Sequence, residues 1–180
     1  PKRLEKQISL MKNNSNIDLL FTQWIDIDEN KKTVLRQPLQ KDFTNIKKFF
    51  FLKSLLMHPT LMVRKKVLID NPYPDIGRPE DFVLWLKLIR KGYIFSLIEE
   101  PLYIYCVDRL NVKRRYNKTR VSSQNLLPYL ISESKYYWHN IYFLLFVLRT
   151  IFEYIVSRNY IIFSITHEKA SLIWKKIFKI

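Results

Sequence analysis

The chain has 180 residues, 48% of them hydrophobic and 15% aromatic, enough for one domain with a packed core. Its two glycines, Gly77 and Gly92, exclude a Gly-rich phosphate loop, and its one cysteine, Cys106, excludes an internal disulfide and a cysteine-based zinc site. Lys and Arg outnumber Asp and Glu by 31 to 16, a formal +15, which points to anionic partners: nucleic acid, acidic lipid headgroups or phosphorylated substrates.

Taken in order, residues 1–13 place Leu4, Ile8 and Met11 at helical spacing and predict a short amphipathic helix. The chain starts at Pro1, without methionine and already inside this helix, as expected of a segment of something longer. Asn13-Asn14-Ser15-Asn16 reads as a loop, and residues 17–27, rich in β-branched and aromatic side chains, as a strand. A polar turn over residues 28–32 precedes a short returning strand from Thr33 to Leu35. Residues 43–56 carry Ile46, Phe49, Phe50 and Lys53 at helical steps. Pro59 biases His58 towards an extended backbone, so His58-Pro59-Thr60 predicts the start of a short strand, with a turn or two of helix over residues 64–69.

Residues 70–79 hold Pro72, Pro74, Gly77 and Pro79 and form a loop. The stretch 79–92 is the clearest helix in the chain. Pro79 suits the first turn, Glu80 and Asp81 sit at the positive end of the helix dipole, and Arg90, Lys91 and Gly92 suit its end. Residues 93–98 and 102–107 predict two short strands separated by Glu99-Glu100-Pro101, with Cys106 a buried core thiol. Residues 108–120 are strongly basic, with Arg109, Lys113, Arg114, Arg115, Lys118 and Arg120. From Leu126 the chain becomes aromatic and aliphatic. The apolar run 141–148 is too short to span a bilayer, and Arg149 and Glu153 stand four apart, as an ion pair on one helix would. Residues 174–180 mix lysines with large apolar groups, which suits either an interfacial helix on an anionic membrane or a tail packed on the chain's own core.

Few groups are candidates for chemistry. Asp26-Ile27-Asp28 matches the D-x-D pattern with which sugar transferases hold a divalent metal, but the residues after it are turn formers, and no metal is placed there. His58 is a candidate substrate contact beside its structural reading. Glu80 and Asp81, held at a helix start, are the best candidates for a base. The segment 109–120 reads as a diphosphate grip, a nucleic-acid patch or a solvated basic loop.

The order of the pieces is informative. His58-Pro59-Thr60-x-Met62-x-Arg64-Lys65, Glu80-Asp81-Phe82-x-Leu84-Trp85-Leu86-x-Leu88, Gly92-Tyr93 and Glu100-Pro101-Leu102-x-x-Tyr105 together resemble the C-terminal half of a bacterial family 2 glycosyltransferase of the kind that builds capsule, exopolysaccharide and O-chains. The resemblance covers roughly residues 1–120. It implies an α/β fold, the C-terminal half of a Rossmann-like, mixed-sheet GT-A domain in residues 1–120, followed by a helical, apolar-basic tail in residues 121–180. It implies inverting transfer of a sugar from a nucleotide-sugar donor to a hydroxyl of a glycan or lipid-linked acceptor, at the cytoplasmic face of the cell membrane, with no nucleic acid as partner. By matching position, Asp81 would be the base with Glu80 as its neighbour. Trp85 and His58 would lie on the acceptor side, and Arg109, Arg114 and Arg115 in a loop closing on the diphosphate. A segment like Pro1–Gln7 follows the metal-binding D-x-D in this family, so the nucleotide-binding half is expected to be missing. Mg or Mn is then expected for the full-length enzyme but not in this chain, which alone should be inactive. One departure is Asn71-Pro72-Tyr73-Pro74-Asp75 where the family has a glycine pair. A noncatalytic basic module that binds anionic membrane or nucleic acid is the alternative.

Overall fold

The structure, a computed structural model, describes residues 2–27, 33–36, 50–51, 56–106 and 112–159, with backbone alone for 33–36 and 112–115. It divides into two units, Pro1–Pro74 with Leu84–Arg109, and Asp75–Val83 with Leu110–Ile180. The expected helix over residues 43–56 falls almost wholly outside the described residues.

The first unit is a mixed α/β layer built on β1, Leu19–Ile27. Parallel β4, Phe95–Cys106, runs the length of one edge, from Leu19 opposite Phe95 to Ile27 opposite Cys106. Antiparallel β3, Met62–Val63, pairs with Leu19 and Leu20, and antiparallel β2, Thr33–Arg36, pairs with Ile25 to Ile27. Strand β1 is therefore central in a four-stranded mixed sheet. The architecture is the expected α/β class and is compatible with part of a Rossmann-like glycosyltransferase domain.

Successive side chains of β1 point to opposite faces, and both faces are covered. On one, Leu20 packs with Met11 and Ile17 beside α1, Lys2–Asn13. On the other, Phe21 meets Trp85 of α3, Glu80–Lys91, edge-on with ring centres 5.5 Å apart, and stacks on Phe95 at 6.3 Å. Leu19, Leu20 and Phe21 are wholly buried, as are Leu84 and Leu88 of α3. Each such side chain contributes about 1.5–3 kcal/mol when taken from water.

Three local expectations are corrected. Residues 95–106 form one strand, not two. Between the pairs Thr22–Ile98 and Gln23–Pro101 the register slips, so Glu99 and Glu100 form a bulge rather than a turn. A proline is tolerated there because the ladder is already interrupted. Cys106 is exposed, not buried, because it ends β4 at the rim of the sheet, where the last three residues of the strand all face solvent. His58–Thr60 forms a 3-10 turn before β3 rather than part of the strand. The Thr60 N–H and hydroxyl both bond the Met57 carbonyl at 2.8 Å, and this closes the turn against the bias of Pro59.

Helix α1 is also rotated from its expected phase. Leu4 and Ile8 are exposed, while Gln7 is buried. The Gln7 amide Nε2 donates to the carbonyls of Leu20 at 3.1 Å and Thr60 at 2.8 Å, tying helix, strand and turn together. Arg3 donates to the Pro59 carbonyl, and Lys6 forms an ion pair with Glu100 at the bulge of β4. Helix α2, Lys65–Asp70, starts at Arg64, whose guanidinium spans three carbonyls: Ile17 at 2.8 Å, Met11 at 3.0 Å and Asn14 at 3.1 Å.

Helix α3 ends as its sequence predicts. Gly92 has φ +82°, its N–H bonds the Ile89 carbonyl, and the Tyr93 N–H reaches back to Leu88, the paired bonds of a Schellman cap. A Cβ at Gly92 would meet nothing within 4 Å, so a substitution there is opposed by backbone strain alone. Gly92→Ala is expected to lower stability by ~1 kcal/mol and Gly92→Asn by less, read as shifts in the urea midpoint.

The second unit is a helical hairpin of α4, Val112–Tyr137, and α5, Ile141–Val156. Helix α4 begins inside the basic segment and runs through residue 120 without a break. Asn140 caps α5, its Oδ1 accepting from the N–H groups of Tyr142 at 2.9 Å and Phe143 at 3.4 Å. Tyr137 and Phe143 pack across the hairpin with ring centres 5.6 Å apart. The expected Arg149–Glu153 pair forms at 2.9 Å.

Candidate active site

Glu80 and Asp81 open α3, and both are half-buried. Pro79, joined to Arg78 by a cis peptide, stands immediately before the helix, and its carbonyl accepts the first helical bond from Val83 at 3.3 Å. Asp81 Oδ1 accepts from the Phe82 N–H at 2.8 Å, so the carboxylate is held against the helix start. The following Phe82 stacks on Phe146 of α5 at 5.1 Å, which anchors the turn that carries the acids.

The loop before this turn is fixed from α4. Asn125 Nδ2 donates to the carbonyl of Ile76 at 2.6 Å and that of Arg78 at 2.9 Å, on either side of Gly77, whose φ is +66°. Sequence reading missed Asn125. An asparagine in a polar helical stretch gives no sign that it bonds carbonyls nearly fifty residues away.

In the first unit, His58 and Trp85 come together in one aromatic cluster, with ring centres 5.8 Å apart. Tyr73, which the sequence did not single out, completes it. Its hydroxyl lies 2.9 Å from His58 Nε2, and its ring centre is 6.3 Å from that of Trp85. Tyr73 stands between Pro72 and Pro74, and that proline pair is the one local signal that its position is stiffened. Trp85 is 2% exposed, and its indole Nε1–H has no acceptor among the described residues. A buried N–H without a partner costs about 1–3 kcal/mol.

Of the basic candidates, the two on described backbone are in a helix rather than a loop. Arg114 and Arg115 lie in the first turn of α4, and Arg109 lies outside the described residues. A helix forms from Val112 because no glycine or proline interrupts residues 112–127.

Asp26 is buried, and its Oδ1 accepts from Trp24 Nε1 at 3.0 Å, while Asp28 lies outside the described residues. Among the described residues no three His, Cys, Asp or Glu side chains are placed to hold a metal ion together. No helix among them is long and apolar enough to cross a membrane.

No protein-family model matches the sequence. Two curated relatives do. The chain is 38% identical over 146 residues to an uncharacterized glycosyltransferase of Methanocaldococcus jannaschii, a match covering 79% of this chain and 50% of that protein. It is 30% identical over 121 residues to the amylovoran biosynthesis glycosyltransferase of Erwinia amylovora, covering 65% of this chain and 45% of that protein. The chain spans about half the length of the curated relatives it matches. With its mixed α/β sheet and its Glu-Asp-opened helix, the chain is thus homologous to glycosyltransferases, over a stretch equal to about half of each relative.

Proposed function

We propose that this chain belongs to an inverting, family 2 glycosyltransferase of the GT-A type, which transfers a sugar from a nucleotide-sugar donor to a hydroxyl of a glycan or lipid-linked acceptor. The single observation that carries the reading is the half-buried carboxylate pair opening α3, at its motif position in a chain homologous to glycosyltransferases. The name of the Erwinia relative supports polysaccharide assembly as the setting. Residues 1–120 then belong to the transferase domain, and residues 121–180 form its apolar-basic extension, with the protein peripheral at the cytoplasmic face of the membrane.

Inversion needs one in-line displacement. The acceptor oxygen bonds to the anomeric carbon as the bond from that carbon to the donor diphosphate breaks, and the hydroxyl proton passes to a carboxylate. Asp81 takes that proton, and Glu80 supports it or contacts the acceptor. His58, with Tyr73 as its hydrogen-bond partner, lies on the acceptor side, and the buried Trp85 buttresses that side from behind. Arg109, Arg114 and Arg115 supply positive charge to the leaving diphosphate, from the N-terminal turn of α4 or the residues before it. Mg or Mn is expected to assist that leaving group in the full-length enzyme. Among the described residues no three His, Cys, Asp or Glu side chains are placed to hold it together.

The test is a transfer assay on the full-length protein with UDP-, GDP- and dTDP-sugars and a polyprenyl-linked glycan acceptor. Nucleotide diphosphate is measured as it is released, and the new linkage is examined by NMR. A product with anomeric configuration opposite to the donor's supports the proposal. Retention of configuration, or phosphate transfer in place of sugar transfer, would remove it.

A further inference from the structure

The outward face of α5 is unlike the surface of a water-soluble helix. Ile141, Leu144, Leu148, Ile151, Phe152 and Ile155 recur at steps of three and four, so they form one stripe, and all six are exposed. The opposite side, through Phe143 and Thr150, is the buried one. The helix is apolar on both sides, yet its 16 residues extend only about 24 Å. It is too short to cross a bilayer, in keeping with the lack of any crossing helix among the described residues. Trp138, 68% exposed, stands just before it.

Charge decides what covers this stripe. Residues 112–159 carry eight lysines and arginines against two glutamates. Cation–aromatic pairs flank the helix, with Lys135 Nζ 5.0 Å from the Tyr136 ring centre and Arg158 Cζ 5.0 Å from that of Tyr154. A second copy would bring two strongly positive surfaces together, whereas an anionic bilayer offers the complementary charge and an apolar layer beneath it.

We propose that α5 lies in the plane of an anionic membrane with Ile141, Leu144, Leu148, Ile151, Phe152 and Ile155 inserted between the lipids and Lys118, Arg120, Lys135 and Arg158 at the headgroups. This rests on the peripheral-membrane reading given above and names the surface that carries it. It does not depend on sugar transfer, so the two can fail separately.

The experiment is sedimentation of the full-length protein with vesicles of phosphatidylcholine alone and of phosphatidylcholine with 30% phosphatidylglycerol. Both L148E and I155E alter exposed side chains, and circular dichroism checks that the helices persist in the double variant. Binding is expected on the anionic vesicles and weak on the neutral ones, with a loss of about tenfold or more in L148E/I155E. A second readout needs no charged substitution. A nitroxide at L148C, in a C106S background, should become more accessible to oxygen and less to a water-soluble nickel complex when anionic vesicles are added. Vesicle binding unchanged in the double variant, with no change in nitroxide accessibility, would overturn the proposal. So would failure to bind vesicles together with a dimer in sedimentation equilibrium that L148E/I155E dissolves, which would assign the stripe to a second copy.

Discussion

In the full-length protein, Asp81→Asn is expected to lower sugar transfer by roughly 10²–10⁴-fold while donor binding is unchanged, the range that removal of a general base produces. The substitution is nearly isosteric. An asparagine oxygen can still accept from the Phe82 N–H, as Asp81 Oδ1 does at 2.8 Å, so the turn keeps its shape. What is lost is the ability to take a proton from the attacking hydroxyl. The loss should therefore appear in kcat, with KM for the donor little moved. Glu80→Gln in the neighbouring position provides the comparison. If Glu80 only contacts the acceptor, its loss is smaller and falls mainly on acceptor KM. Full transfer by Asp81→Asn would take the base role away from Asp81. Full loss from Glu80→Gln together with retention in Asp81→Asn would hand the role to its neighbour.

The second large effect is expected at Arg64, away from any chemistry. Its guanidinium collects the carbonyls of Met11 and Asn14 at the end of α1 and of Ile17 ahead of β1. Its own backbone N–H donates to Asp18, in the same loop. One side chain thus closes the helix-to-strand connection and holds it to the start of α2. Removing a charged donor from three half-buried acceptors leaves them poorly solvated, and Arg64→Ala is expected to cost ~2–4 kcal/mol, measured from urea unfolding at unchanged m-value. Arg64→Lys should recover less than half of that. An ammonium is a point donor and cannot span carbonyls that the planar guanidinium reaches from Nε and Nη2 together. Equal stability of the lysine variant would show that charge, not the fork geometry, is what the loop requires.

What could be read from the residues was what local chemistry controls. Helix α3 carries its own beginning and end: the acids at its first turn and Gly92 at its cap act within a few residues, and the structure shows both. The Arg149–Glu153 pair is likewise a matter of one helical turn. The misreadings share a different cause. Glu99-Glu100-Pro101 has the composition of a turn, but continuous pairing with β1 holds the strand together around it, and that partner lies far away in sequence. The phase of α1 departs from its apolar spacing because a glutamine takes the inside position in place of the leucine and isoleucine. It was drawn in by two carbonyls from β1 and the Thr60 turn. Cys106 was assigned to the core from its apolar neighbours, yet the end of an edge strand faces water whatever precedes it. Asn125 gives no signal at all and Tyr73 only its flanking prolines, since each matters through a partner on another segment.

The pairing of β1 also sets the order in which this chain can mature on a ribosome. Leu19 to Ile27 are made before their two neighbours at the strand's start, β3 and β4, and long before β4. Until Phe95 to Cys106 are synthesised, the segment Leu-Leu-Phe-Thr-Gln-Trp-Ile waits with one edge of its backbone and one apolar face uncovered. Such a segment has the β-propensity and lack of charge that favour pairing with another nascent chain. Translation speed through residues 64–106 is then a determinant of yield. Slow codons there prolong the exposure of β1, and a trigger-factor-type chaperone that covers it should raise the soluble fraction more than the same chaperone supplied after release.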